Sequence, residues 1–315
     1  MSRKPLQNAG AIGLALLAAA LYALSAPLSK LLLQALPPAM AAAYLYLGAG
    51  AGMLLLGLAR KCTGREPKEQ RLVRADWPYA FGMVLLDVAA PILLMHGLTE
   101  TTAANAALLN NFEIVATALI ALFLFHERVS GRLFAAIGLI TLASALLSLS
   151  DAGSLSFSKG SLFVLLAAVC WGLENNCTRA ISGKDPAQIV IVKGFGSGAV
   201  ALAVALLAGE RFSGGAAIPA ALLLGFVAYG LSIFFYVRAQ RALGAARTSA
   251  YYAVAPFIGA GLSLLIFGSL PGGLFLPALA IMAAGTYFAS TGGREKKEEA
   301  HVGVTGEPHG GAADE

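Results

Sequence analysis

The stretch Trp171-Gly-Leu-Glu-Asn-Asn-Cys-Thr-Arg179 decides how this chain is read. It sits in the otherwise apolar run that begins at Gly160, GSLFVLLAAVCWGLENNCTRAIS. Glu174, Asn175 and Asn176 stand side by side where a helix would meet hydrocarbon. A lipid-facing carboxylate at mid-helix costs about 2.5–3.5 kcal/mol on insertion scales. A compensating partner is therefore expected inside the protein.

The surroundings show why hydrocarbon is the right solvent to consider. The chain has 315 residues, 58% of them hydrophobic and 12% charged. Soluble domains carry about 25% charge. Its apolar runs are long enough to cross a bilayer as helices, and the strict alternation of barrel strands is absent. Ten spans are predicted, at about 11–33, 39–59, 77–97, 102–125, 133–150, 160–180, 187–208, 217–238, 247–268 and 273–291. The expected fold is an all-α integral membrane protein of ten transmembrane helices. The first run contains Pro27 and Lys30 and is too long for a cleaved signal peptide, so its bulk is expected to be retained.

Charge sets the predicted orientation. With the N-terminus placed in the cytoplasm, 18 of the 22 Lys and Arg residues fall in inside segments. Only Lys159 and Arg211 fall outside, while Lys30 and Lys193 lie within spans. This bias follows the positive-inside rule and places both termini in the cytoplasm. The net charge of +5 is thus a topology signal, and no nucleic-acid partner is expected. Cys62, Cys170 and Cys177 form no disulfide or metal pattern, and no cofactor signature occurs. From Gly292 onward a polar, Gly-rich tail with His301 and His309 is expected to be disordered.

The chain repeats itself. At an offset of 149, LLAAALYALSAPLSK (16–30) lies over LLAAVCWGLENNCTR (165–179), and Pro37 falls over Pro186. Later the offset is about 142, where FEIVATALIALFLFHE (112–127) lies over VAPFIGAGLSLLIFGS (254–269). The organisation is then a cytoplasmic segment 1–10, a first repeat 11–150, a second repeat 160–291 and a cytoplasmic tail 292–315. Five spans per repeat is an odd number, so the two repeats have inverted topology. Such a plan points to a secondary transporter whose halves rock about a midplane site.

The ten-helix duplicated plan resembles the EamA-type branch of the drug/metabolite transporter superfamily. In that family the fourth helix of a repeat carries a central Glu-Pro and closes on Gly-Glu. Here NNFEIVATALIALFLFHERVS has Glu113 and Glu127, with Ile114 and His126 in place of the Pro and Gly. The second copy keeps Pro256 but has Ala255 and Ser269 where the acids would be. The resemblance covers residues 10–291. It implies transport of small metabolites, often export, across the cell (inner) membrane, without naming the solute.

The intramembrane polar residues are the candidate solute or coupling site. Asp87, Glu113, Glu174 and Lys193 lie within spans. Glu174, six residues before the end of the sixth span, and Lys193, six into the seventh, lie at similar depth and are expected to pair. Asn175 and Asn176 then satisfy leftover donors or bind solute. That group reads either as a structural ion pair or as a binding site. Asn110 and Glu113 share a predicted polar face with Ala106 and Thr117, with Asn111 and Asn105 beside it. Asp87, in the antiparallel third span, matches Glu113 in depth. Two carboxylates at one depth favour proton exchange, which suits a proton-coupled carrier. The alternative for Asp87 is a hydrogen bond that holds helices together.

Aromatic and hydroxyl residues complete an amphipathic pocket for a small zwitterion or an amphipathic organic solute. Tyr229, Ser232, Tyr236 and Gln240 share a predicted face of the eighth helix. Thr248, Tyr252 and Pro256 run down the ninth, Tyr22, Ser25 and Ser29 face together on the first, and Trp171 lies one turn from Glu174. Pro27, Pro91 and Pro256 are expected bends. Lys30 reads as a snorkelling anchor. The glycines at 48–52 and 194–198 point to close packing within the chain, with a homodimer face as the alternative. An intramembrane enzyme acting on lipid is the competing function. It is disfavoured by the lack of metal-ligand or nucleophile–base spacing, and the lack of a P-loop excludes a P-loop ATPase.

Overall fold

The fold was analysed in a computed structural model. It describes residues 4–63, 69–125, 131–152, 158–181, 183–212, 214–243, 248, 251–268 and 272–304. Glu127, His126, Ser269 and His309 lie outside the described residues, as do the side chains of Gln240 and His301.

The described chain is all helical. The first half holds α1 (Lys4–Ala23), α2 (Ser25–Leu32), α3 (Pro38–Cys62), α4 (Trp77–Glu100), α5 (Ala103–Leu109), α6 (Phe112–Phe125) and α7 (Gly131–Ala152). The second half holds α8 (Lys159–Ile181), α9 (Pro186–Leu207), α10 (Ala217–Leu224), a π-helical turn (Gly225–Leu231), α11 (Ser232–Leu243), α12 (Ala255–Phe267) and α13 (Phe275–Val304). Eight described helical stretches are long and apolar enough to cross a membrane, and two shorter apolar helices, Ala255–Phe267 and Phe275–Ala289, follow them. Apolar side chains fill the core and also cover the outside, and a minority of polar side chains is buried among them. Leu207 and Leu265 face outward, while Asp87, Ser29 and Asn105 are fully buried.

Several predicted spans differ in detail. The first is interrupted at Leu24, three residues before Pro27, which lacks the amide that would bond Ala23. The fourth is broken at Asn110–Asn111, and a turn at Ala253–Val254 precedes α12. The 142-residue offset carries Asn110–Asn111 to Tyr252–Ala253, within one residue of the second break, so the interruption is duplicated with the repeat. Pro91, by contrast, sits inside an uninterrupted α4. The last helix continues to Val304, so residues 292–304 are helical where a disordered tail was expected.

The helix pairings respect the duplication. The second span packs on the seventh (α3–α9), the fifth on the tenth (α7–α13) and the fourth on the ninth (α5–α12). Each of these pairs maps onto itself when the halves are exchanged. The α4–α8 pairing becomes the α1–α11 pairing, and α6–α8 becomes α1–α12. The α4–α9 pairing becomes that of α3 with α10 and the π turn. The helices of the two halves therefore pair in a pseudo-twofold arrangement.

Small residues allow this close approach. A Cβ on Gly194 would run into the backbone of Gly50, and one on Gly50 would lie 2.9 Å from the Phe195 nitrogen. The two glycine groups thus meet each other across the α3–α9 contact. Gly225 is likewise pressed on the backbone of Leu45.

Polar contacts tie down the ends. On one face Lys184 pairs with Asp76 at 3.4 Å, and Gln188 Oε1 accepts from the Leu72 amide at 2.8 Å. On the other, the Glu210 carboxylate accepts from the amides of Ala39 (3.2 Å) and Met40 (2.7 Å) at the start of α3. An anion there meets orphan amides and the positive helix end. Lys30 does not snorkel. Its ammonium donates to the carbonyls of Leu98 and, at 2.8 Å, Thr101 at the end of α4, where a cation is favoured.

Gly194→Val should lower the thermal unfolding midpoint in detergent by an amount equivalent to about 1–3 kcal/mol. Gly57→Val, at a site where a Cβ meets nothing within 4 Å, should leave it nearly unchanged. Equal midpoints for the two variants would contradict the close α3–α9 approach.

Candidate functional site

Local chemistry delivers five charged or polar groups to one place. Asp185 caps the start of α9 by accepting from the Ala187 amide at 2.9 Å, with Pro186 in the first turn. This fixes where α9 begins and hence the depth of Lys193. A short turn joins α8 to α9, so Glu174 and Lys193 lie at the same depth on adjoining helices. They form an ion pair, 3.1 Å from Nζ to Oε1. The same ammonium lies 2.9 Å from Asp87 Oδ2 on α4. Tyr46 on α3 donates its hydroxyl to Asp87 Oδ1 at 2.9 Å, and Thr178, one turn along α8, donates to Glu174. Asp87, Glu174 and Lys193 are all buried.

No hydrogen bond or ion pair joins Asp87 to Glu113: Asp87 is held by Lys193 and Tyr46, and Glu113 by Asn175. Nor do Ala106, Asn110, Glu113 and Thr117 form one continuous helical face, because the helix breaks at 110–111. Glu113 instead sits in the first turn of α6, at the positive end of that helix, which favours an anion. Its Oε1 accepts from Asn175 Nδ2 at 2.5 Å, so Asn175 links it to the ion-paired cluster. Asn176 turns back on its own helix, donating to the Gly172 carbonyl at 2.8 Å. Asn110 and Asn111 are buried at the break, and Asn110 Oδ1 and Asn111 Nδ2 have no partner among the described residues.

The charge balance is unequal. With every group ionised, Asp87, Glu174 and Glu113 bring three negative charges against the single positive charge of Lys193. In a low-dielectric interior such an excess calls for a proton or a cationic partner.

Beside the charges runs a row of tyrosine rings. Tyr46 meets Tyr229 at 5.4 Å, Tyr229 meets Tyr22 at 5.9 Å, Tyr22 meets Tyr252 at 5.8 Å and Tyr252 meets Tyr236 at 5.0 Å between ring centroids. The hydroxyls are anchored: Tyr229 to Ser25 at 2.6 Å, and Tyr252 to Ser232 at 3.3 Å. Ser232 also donates to the Ala18 carbonyl at 2.9 Å. The π-helical turn shifts the register of the eighth span, so Tyr229 points to α2 and α3 while Tyr236 points to Tyr252. They do not share one regular helical face. Trp171 is buried in the main core, within reach of the Tyr46 hydroxyl.

Tyr46 escaped the sequence reading. It lies in a run of small and apolar residues with no polar neighbour, and only the α3–α4 packing brings it to Asp87. The available signal was the need of Asp87 for a donor from an antiparallel helix at matching depth.

The fold and this buried, charged, aromatic-lined interior define a polytopic membrane transporter. The EamA-like transporter family matches twice, over residues 9–149 and 158–291, and the chain belongs to that family. It is 29% identical over 262 residues, spanning 78% of this chain and 76% of the other, to a protein of Methanothermobacter thermautotrophicus described as an uncharacterized transporter. A solved crystal structure of a protein shares the fold with a TM-score of 0.65 at 20% identity, over 89% of this chain and 95% of the other.

Lys193→Met strands two buried carboxylates and should destabilise the protein by about 3–5 kcal/mol in detergent unfolding. Adding Asp87→Asn and Glu174→Gln to that variant should restore most of the loss. A Lys193→Met protein as stable as wild type would show that the ion pairs are not made.

Proposed function

We propose that this transporter moves a small amphipathic or zwitterionic metabolite, amino acids being the leading class, by alternating access about a site between the repeats. The observation that carries the reading is the buried Asp87–Lys193–Glu174 cluster, linked through Asn175 to Glu113 and flanked by tyrosine rings. Asp87 comes from the first repeat and Glu174 and Lys193 from the second. Rocking the halves therefore alters these contacts. A solute ammonium answers the excess of carboxylates, a solute carboxylate competes for Lys193, and an apolar side chain lies against the Tyr22, Tyr229 and Tyr252 rings.

Proton coupling follows from the same imbalance. When no cationic solute is bound, a proton on Glu113 or Glu174 restores the charge balance, and its release accompanies solute binding. Asp87 and Lys193 hold the ion pair across the repeats. The lysine and arginine distribution supports an inner-membrane orientation with both termini in the cytoplasm. Outward transport is the direction the family resemblance suggests.

Counterflow in proteoliposomes tests the proposal. Vesicles loaded with a pooled panel of amino acids, sugars, polyamines and cationic drugs are read by mass spectrometry for wild type, Glu113→Gln and Glu174→Gln, each checked for folding. One solute class should move with wild type, and at least one folded variant should lose at least tenfold in rate. Equal movement in wild type and both variants would make these acids structural and sink the mechanism.

A further inference from the structure

A groove of about 470 Å³ runs along the outside of the bundle, between α3 and the eighth span. Gly48, Ala51, Gly52 and Leu55 form one side, and Leu223 and Phe226 the other. Every lining residue is Gly, Ala, Leu or Phe. The two helices touch at Gly48 and Gly52, where an added Cβ would run into the Leu222 backbone and the Phe226 ring. The small residues beside these contacts leave the space open, and Leu55 and Leu223 at its rim are exposed. Gly48 to Ala59, the extent of the groove on α3, rises about 16 Å along the helix axis. Half of a hydrocarbon core is about 15 Å, so the groove covers one leaflet. Residues 39–46, the part of α3 in the other leaflet, are buried.

One end of the groove is charged. Arg60 follows Ala59 in the last turn of α3, and its guanidinium carbon lies 4.4 Å from the centroid of the Phe234 ring on α11. The guanidinium of Arg238, one turn further along α11, lies 5.6 Å from the same ring. Leu56 and Phe226 of the groove pack against the apolar cluster that contains Phe234, so groove and ring are continuous. Two like charges are thus gathered at one ring, and neither has an ion-paired carboxylate among the described residues. Their mutual repulsion calls for an anion from outside the chain. The guanidinium fork suits phosphate, and basic sites between spanning helices suit anionic headgroups. A spanning helix of a second copy would need a surface through both leaflets, which the buried start of α3 does not offer. An apolar chain one leaflet long, ending in a phosphate, matches both parts of the site.

We propose that this groove binds an anionic phospholipid, with one acyl chain along α3 between Leu55 and Leu223 and the phosphate answered by Arg60 and Arg238. The site lies on a seam, since α3 belongs to the first repeat and α10, the π-helical turn and α11 belong to the second. A bound lipid therefore bridges the two halves and strengthens their association. Regulation of transport by that lipid rests on the mechanism proposed above, whereas its binding does not.

Native mass spectrometry of the protein in detergent tests the site, with phosphatidylglycerol and phosphatidylcholine of matched acyl chains titrated in turn. Wild type should bind phosphatidylglycerol at least tenfold more tightly. Arg60→Gln with Arg238→Gln should remove most of that preference, about fivefold for each charge, and Arg60→Lys with Arg238→Lys should keep more of it. Arg71→Gln with Arg74→Gln removes the same charge from the segment after α3 and should leave the preference unchanged. Ala51→Phe fills the groove and should weaken binding of both lipids at least fivefold, with the unfolding midpoint showing that each variant is folded. Equal affinity of wild type for the two lipids, an undiminished preference in the Gln pair, or unchanged affinity in folded Ala51→Phe would each overturn the site. So would a wild-type dimer that Ala51→Phe dissociates, which would give the groove to a second copy. Solute counterflow that persists in Ala51→Phe leaves the mechanism above intact, so the two proposals fail separately.

Discussion

The Lys193 ammonium between Asp87 and Glu174 is the contact on which the rest of the arrangement depends. Charges inside a bilayer-spanning bundle must be answered within the protein, because lipid offers neither water nor counter-ions. One cation at the meeting of α4, α8 and α9 answers two anions, and it fixes how those three helices sit. The α4–α8 and α3–α9 pairings then bring Tyr46 to Asp87 from a fourth helix. A hydrophobic core alone would not select this register, since in a membrane leucine is as content against lipid as against leucine.

The second constraint is the backbone. Every amide and carbonyl at membrane depth needs a partner, so a break in a spanning helix is tolerated only where protein or a polar cavity receives it. Here the breaks at Leu24, Asn110–Asn111 and Ala253–Val254 are gathered in the interior. The break in the fourth span also has a local use. It begins a new helix at Phe112, one residue before Glu113, and so places the carboxylate at the positive end of a helix. The duplicated partner of Glu113 is Ala255, with Pro256 next to it. The repeat has thus kept the interruption and lost the charge, which makes a symmetric scaffold carry an asymmetric site.

Close packing completes the frame. Gly50 and Gly194 lie against each other on the pseudo-twofold pairing of α3 and α9, the one contact formed by the same span of each half nearest the ion-paired cluster. Glu210 at the start of α3 and Lys30 at the end of α4 close one end of the bundle by answering helix termini. The Asp76–Lys184 pair and the Gln188 contact tie the loops at the other. The Glu210, Asp76–Lys184 and Gln188 contacts at the ends and the Asp87–Lys193 pair in the middle all join one half to the other.

What the sequence determined by itself follows from periodicity and solvent. Apolar length established membrane-spanning helices, and the offsets of 149 and 142 established two repeats. Depth along two helices joined by a short turn was enough to pair Glu174 with Lys193. Tertiary structure decided what depth cannot. Depth fixes one coordinate of a side chain and leaves open which neighbouring helix it faces. Asp87 thus matched Glu113 in depth yet turned to Lys193 and Tyr46. Pro27 and Pro256 marked two of the helix breaks, but the break at Asn110–Asn111 and the π-helical turn were invisible, because each changes the angular register of later residues while leaving composition and hydropathy untouched. The placement of Asn110, Tyr229 and Tyr252 therefore came from packing, where local backbone geometry and the pairing of the two halves are settled together.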